Sequence, residues 1–273
     1  SGTVSDGNSG SNYNVTFTSV STATITGPPI TVTAATDSKE YNGTTSSSRM
    51  PTITSGSLGT GDNVTWTQTF DTKNVGTNKT LTPAGTVSDS NSGNNYSVTF
   101  TSVSTGTITA KALTVSGLTA VNKVYDSNTT ATFTGTAALS GLVAGDDVTL
   151  GGTPAGTFAD EHVANGISVT VTGSTISGTD ATNYTFIQHA NLSANITAKA
   201  LTVSGITANN KEYDGSTAAT INTAGAALLG VVSGDTVTLN TVSATGVFSD
   251  SNIGTGKTVT IAGLTIGGAD AAK

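Results

Sequence analysis

Cysteine is absent from the 273 residues, which excludes disulfide frameworks, thiol catalysis and Cys-based zinc sites. Charge is sparse too. Only 10% of the residues are charged, 10 basic residues face 17 acidic ones, and a net charge of -7 leaves no basic stripe for phosphates or anionic lipid. Nucleic acid and membrane insertion are therefore not expected. No window approaches 18 consecutive apolar residues, so a membrane-spanning helix is excluded; residues 1–10 lack the basic and apolar regions of a signal peptide, and any export signal is expected outside this sequence. Helical bundles lack their raw material, with one Met, few Glu and Lys, and no 3.6-residue period. Disorder fits no better, because Thr and Val, which suit a pleated surface, are plentiful. The class that remains is all-β.

What the chain does have is repetition. KEYNG at residues 39–43 returns as KVYDS at 123–127 and KEYDG at 211–215, with the lysines 84 and 88 residues apart. Other markers keep phase with it. SNYNVTF ends at Phe17, NNYSVTF at Phe100 and TNYTF at Phe186, while TGPPITV begins at Thr26 and TAKALTV at both Thr109 and Thr197. GDNVT, GDDVT and GDTVT begin at Gly61, Gly145 and Gly234, and an aromatic precedes Asp at Phe70-Asp71, Phe158-Ala159-Asp160 and Phe248-Ser249-Asp250. A period of about 85 residues suits one small domain. The chain is thus read as the C-terminal part of a repeat (1–26), two complete repeats (27–109 and 110–197), and a repeat lacking its closing strands (198–273). Two origins of these fragments are open: a window cut from a longer array, or head-to-tail donation of closing strands between chains.

Within the second repeat, apolar and polar residues alternate over 112–115, 130–136, 147–150, 156–158, 167–171, 184–187 and 192–196. Seven short strands predict a small antiparallel Ig-like β-sandwich, and tandem copies an extended rod. Helix is limited to one turn at 180–183, where Asp180 is expected to cap amides. The KxYDG string reads as strand, turn, strand. Gly43 and Gly215 supply a positive φ, Asn42, Asp126 and Asp214 bond to following amides, and Asn128 is expected to take the special dihedral where Ser127 replaces Gly. Tyr41, Tyr125 and Tyr213 would lay their rings over the core edge, with hydroxyls reaching water or a carbonyl. Lys39, Lys123 and Lys211 complete this structural motif.

These strings, with the TAKALTV junction and the GxDAxNYxF segment, resemble the YDG-type and related MBG repeats found in tandem in very long bacterial surface proteins, many similar to filamentous-haemagglutinin-type adhesins. The resemblance spans the whole chain. It departs at Asn42 for Asp, at Pro28-Pro29 for Lys-Ala, and at Ser127 for Gly. It implies an extracellular stalk at the bacterial surface, with neighbouring repeats of the same or identical chains as partners and a surface receptor engaged by regions outside this chain.

Chemistry finds few candidates. His162 and His189, the two histidines, recur in no other repeat and read as solvated loop residues, so nucleophilic catalysis lacks its base. Asp62, Asp146 and Asp235 precede V-T strand starts, where turn formation accounts for them. Asp89-Ser90-Asn91 and Asp146-Asp147 offer oxygen donors of the kind calcium takes, yet no D-x-[DN]-x-[DN]-G spacing occurs. Rows of Thr at 22–26, 65–69 and 130–136 invite an ice-binding reading, but any half-buried strand alternates in this way. A Lys–Asn isopeptide bond from Lys39, Lys123 or Lys211 to Asn95 or Asn183 lacks an assignable proton-transfer carboxylate. The expected function is a non-catalytic stalk or fibre repeat without cofactor. The alternatives are a glycan- or protein-binding module, for which Trp66 is the one candidate platform, and a filament subunit joined by strand donation; in the alternating strand 64–70, where other repeats carry Leu150 or Leu239, Trp66 is itself expected in a core or half-core position.

Overall fold

A computed structural model describes residues 2–273. The protein is all-β, and the chain divides into two compact units, Ser1–Lys111 and Ala112–Lys273. No helix among the described residues is long and apolar enough to cross a membrane.

The first unit holds one sandwich of seven strands: β1 (Pro29–Thr33), β2 (Ser38–Glu40), β3 (Thr52–Ser55), β4 (Asn63–Phe70), β5 (Gly76–Ser88), β6 (Ser97–Thr101) and β7 (Val103–Thr109). One sheet runs β3-β1-β6 and the other β2-β7-β5-β4. Period-2 alternation decides which residues face inward. In β4, Val64, Trp66, Gln68 and Phe70 turn to the core while the intervening residues are exposed. Ile30, Val32, Trp66 and Val87 form the buried centre, and Trp66 meets Phe100 edge-on at 5.6 Å between ring centroids. Trp66 is thus a core residue, 4% exposed. Gln68, also buried, satisfies its amide on both polar groups of Ala35, accepting from its N–H at 2.8 Å and donating to its carbonyl at 2.7 Å.

Most ladders are antiparallel, but each sheet of the first repeat contains one parallel pair. β1 lies parallel to β6, with Ile30 opposite Val98 and Val32 opposite Phe100, and β2 lies parallel to β7, with Lys39 opposite Ile108. The last two strands of the repeat therefore close beside its first two.

The second repeat reproduces this plan. β8 (Lys111–Ala120), β9 (Lys123–Val124), β10 (Thr130–Ala131), β11 (Phe133–Ser140), β12 (Thr149–Phe158), β13 (Ala164–Ser177), β14 (Tyr184–Ile187) and β15 (Leu192–Thr197) form sheets ordered β11-β8-β14 and β10-β12-β13-β15-β9. The strands expected at 147–150 and 156–158 are replaced by one long strand β12, which begins only at Thr149 and bulges between Gly152 and Ala155 opposite β13. The single helical turn occurs at Ala181–Asn183, yet the Asp180 side chain does not cap it; its Oδ2 instead accepts the Asp147 N–H at 3.1 Å.

The third repeat is fragmentary. Nine short strands, β16 (Thr202–Ser204), β17 (Thr207–Ala208), β18 (Ala218–Ala219), β19 (Ile221–Asn222), β20 (Ala227–Leu229), β21 (Thr238–Asn240), β22 (Thr245–Phe248), β23 (Val259–Ala262) and β24 (Thr265–Gly267), pair in four small sheets. Among the described residues nothing follows that could stand where β6 and β7 do. Residues 2–28 carry the matching sequence but lie in no strand.

Candidate functional site

The recurring lysine is the centre of each turn. Lys39 donates to the carbonyls of Thr44 (2.6 Å) and Ser46 (2.9 Å) and to Asn42 Oδ1 (3.0 Å). Lys123 reaches the Asn128 carbonyl at 2.6 Å and pairs with Asp126 at 2.6 Å. Lys211 reaches the Ser216 carbonyl at 2.9 Å and Asp214 Oδ1 at 2.7 Å. In every repeat the ammonium also sits over an aromatic face: Phe70 at 5.2 Å, Phe158 at 5.7 Å and Phe248 at 5.9 Å from the centroid. The same phenylalanines donate their backbone N–H groups to Thr45, Thr129 and Thr217 within 2.7–2.8 Å. Lysine and phenylalanine together clamp the turn onto the β4-type strand. Burial pulls the Lys39 pKa below its ordinary value.

Turn chemistry supplies the rest. Asn42, Asp126 and Asp214 each accept the N–H two residues on, at 3.2, 3.2 and 2.9 Å. Gly43 and Gly215 adopt φ of 77° and 78°. The second repeat corrects one expectation: Ser127, not Asn128, takes the left-handed dihedral at φ 61°. The reason is geometric, since the turn fixes that dihedral at the position after Asp126 whichever side chain stands there.

Asp214 has its pKa lowered to about 2, first by the Lys211 ammonium and then by the Ser216 donors, and Asp250 is lowered chiefly by Lys257. A depressed carboxylate contributes stability that is present above its unfolded value, near 3.8, and is lost as the pH falls through its folded value. An acid titration of the third repeat followed by NMR is expected to show these turns loosening between about pH 4 and pH 2. Loosening at pH 5 or above would contradict that assignment.

Tyr41 and Tyr125 are buried, at 1% and 4% exposure, whereas Tyr213 is 67% exposed. The expectation that all three cover the core edge fails in the third repeat. The Tyr41 and Tyr125 N–H groups donate to Thr109 and Thr197 at 2.8 Å, carbonyls at the end of the closing strand, and the third repeat has no such strand among the described residues. The Tyr125 hydroxyl also meets a carboxylate in the next repeat, Asp235 Oδ1, at 3.2 Å.

A second constellation joins markers noted separately in the sequence. The tyrosine of the NYxxTF or NYTF segment bonds the aspartate of GDxVT: Tyr184 donates to Asp146 Oδ2 at 2.6 Å and accepts the Val143 N–H at 2.9 Å. Tyr96 does the same with Asp62 Oδ2 and the Gly59 N–H. The Asp62 carboxylate pushes the Tyr96 pKa up. These pairs lie 34 and 38 residues apart in sequence, so only the sandwich register unites them.

The remaining candidates are engaged in internal bonds. Asp89 Oδ1 accepts the Asn91 and Gly93 N–H groups at 2.7 Å, and Asp147 Oδ2 accepts both donors of Thr179 at 3.0 Å. Among the described residues, no three His, Asp or Glu side chains come together as metal ligands. Melting with and without EDTA is therefore expected to give one midpoint, and a fall of several degrees in EDTA would place a cation on these loops. His162 is exposed and bonds Asp160, and His189 contacts the Ala190 carbonyl. The Asn95 side chain accepts from Asn91, not from Lys39, so the isopeptide arrangement is not assembled there.

The YDG domain family matches residues 25–105, 109–192 and 197–273. No curated protein and no solved structure matches the chain.

Proposed function

We propose that this chain, which belongs to the YDG domain family through three successive copies, is a non-catalytic spacer: a tandem β-sandwich stalk or fibre segment of an extracellular bacterial adhesin. One observation carries the reading. The residues repeated most faithfully, Lys39, Lys123 and Lys211 with Phe70, Phe158 and Phe248, bond to their own turns in every repeat. The surface setting is supported by the resemblance of these strings to tandem repeats of bacterial surface proteins. The binding alternative loses its one candidate platform, because the Trp66 ring lies in the core.

Single-molecule stretching tests the role. Each complete repeat is expected to unfold as one event releasing about 85 residues, a length gain of roughly 250–300 Å at about 3.3–3.6 Å per residue. Two such events should appear, with the third repeat extending at low force. A featureless extension of the whole chain would remove the spacer reading.

A further inference from the structure

The first repeat departs from the other two inside the lysine-held turn: Asn42 stands where they carry Asp126 and Asp214. Its surroundings are nonetheless those of a carboxylate. Asn42 Oδ1 accepts the Lys39 ammonium at 3.0 Å, the Thr44 N–H at 3.2 Å and the Thr44 hydroxyl at 2.9 Å. At the same place Asp126 and Asp214 receive their lysines at 2.6 and 2.7 Å. Donors crowded on one amide oxygen, with a cation among them, draw electron density from Cγ and stabilise negative charge that develops on Oδ1 when a nucleophile adds there.

The nucleophile is next along the chain. Gly43 has no Cβ to shield its nitrogen, and its N–H makes no hydrogen bond among the described residues. The bond from the Thr44 N–H to Asn42 Oδ1 folds the carboxamide back over the intervening Gly43 peptide. Asn42 is exposed, so water reaches the same carbon.

The other Asn-Gly pair of the chain, Asn165-Gly166, is arranged in the opposite way. It is exposed too. Yet the Gly166 N–H donates to Asn195 Oδ1 at 2.8 Å, and the Asn165 carboxamide receives no bond from the described residues. The β13–β15 ladder also holds the backbone on either side, with Ala164 opposite Ile196 and Ile167 opposite Ala194.

We propose that Asn42 is a self-modification site, at which the folded turn converts asparagine to aspartate. The Gly43 nitrogen gives its proton to water and bonds to Asn42 Cγ, and the negative charge gathers on Oδ1 beneath Lys39 and Thr44. The Cγ–Nδ2 bond then breaks, and the amide nitrogen takes a proton from solvent and leaves as ammonia. A five-membered succinimide remains. Water adds to Cγ, where the same donors polarise the carbonyl, and the bond from Cγ to the Gly43 nitrogen breaks as that nitrogen regains a proton. Amide and water have become carboxylate and ammonium, and the peptide bond is as before. The new carboxylate faces Lys39 as Asp126 and Asp214 face Lys123 and Lys211, so the first repeat acquires the ion pair that the other two hold from the outset.

Peptide mapping by mass spectrometry tests this on the folded 273-residue polypeptide kept at mildly alkaline pH. Asn42 is expected to convert roughly tenfold or more faster than Asn165, the ratio that one charge-assisted hydrogen bond to the developing oxyanion supplies. In urea, where the fold no longer distinguishes the two pairs, their rates should converge. The product at residue 42 should be chiefly normal aspartate, because Lys39 and Thr44 direct water to Cγ; attack at the other succinimide carbonyl would give isoaspartate. Thr44→Val deletes the hydroxyl donor at an exposed position and should slow the reaction several-fold, with Trp66 fluorescence reporting that the first repeat is folded. Equal rates at the two pairs in the folded protein would overturn the inference, as would faster reaction at Asn165, a mainly isoaspartyl product or an undiminished rate in folded Thr44→Val.

Discussion

Phe158→Ala is expected to destabilise the second repeat by about 3–5 kcal/mol, the usual cost of emptying a buried aromatic site. The ring is 2% exposed, packs with Ala120, Tyr125, Ala131, Ile167, Val169, Ala194 and Ile196, and carries the Lys123 ammonium on its face. Truncation therefore removes the core filler and half of the turn clamp together. Small domains are stable by only about 5–15 kcal/mol, so this one change takes a large share of the total. Urea unfolding followed by circular dichroism gives the loss, and Trp66 fluorescence serves as the internal control, since Trp66 belongs to the separate core of the first repeat. A cost below about 1 kcal/mol would mean that the ring is not a core residue.

The second large effect falls on the tyrosine–aspartate bond. Tyr184→Phe keeps the ring but removes the oxygen that serves both Asp146 and the Val143 N–H. Stranding partly buried groups costs about 1–3 kcal/mol, and each kcal/mol lowers the melting midpoint of a domain of this size by roughly 4–8 °C. Tyr213→Phe is the matched control. Its side chain is exposed, and its midpoint should not move. Equal shifts in the two variants would contradict the bond.

The turn positions and the all-β class were legible because each depends on neighbours a few residues apart; the strand count was not, since the second repeat has eight strands where seven were expected, with 130–136 split in two and two expected strands merged in β12. Alternation along residues 64–70 was enough to place Trp66 on the buried side. Pairings across the sandwich were not legible. Phe70-Asp71 and its counterparts stood out as repeated strings, but that their rings would carry the lysines 31, 35 and 37 residues upstream follows from strand register, which period-2 patterning leaves open. The parallel pairs β1–β6 and β2–β7 were hidden for the same reason, since a strand's composition does not reveal its neighbour's direction. Tyr213 was misjudged because its burial depends on a strand that its own repeat does not contain among the described residues.

Those parallel pairs bear on how a repeat resists tension. Load enters the first repeat at β1 and leaves at β7, and each of these strands is laddered in parallel to another, β1 to β6 and β7 to β2. In a parallel pair the start of one strand and the end of the other lie at opposite ends of the ladder. Pulling them apart slides the whole register in shear, so that the hydrogen bonds must yield together, whereas a hairpin pulled from its open end unzips one bond at a time. Pulled in this direction, the closing strands act as a mechanical lock on the first two.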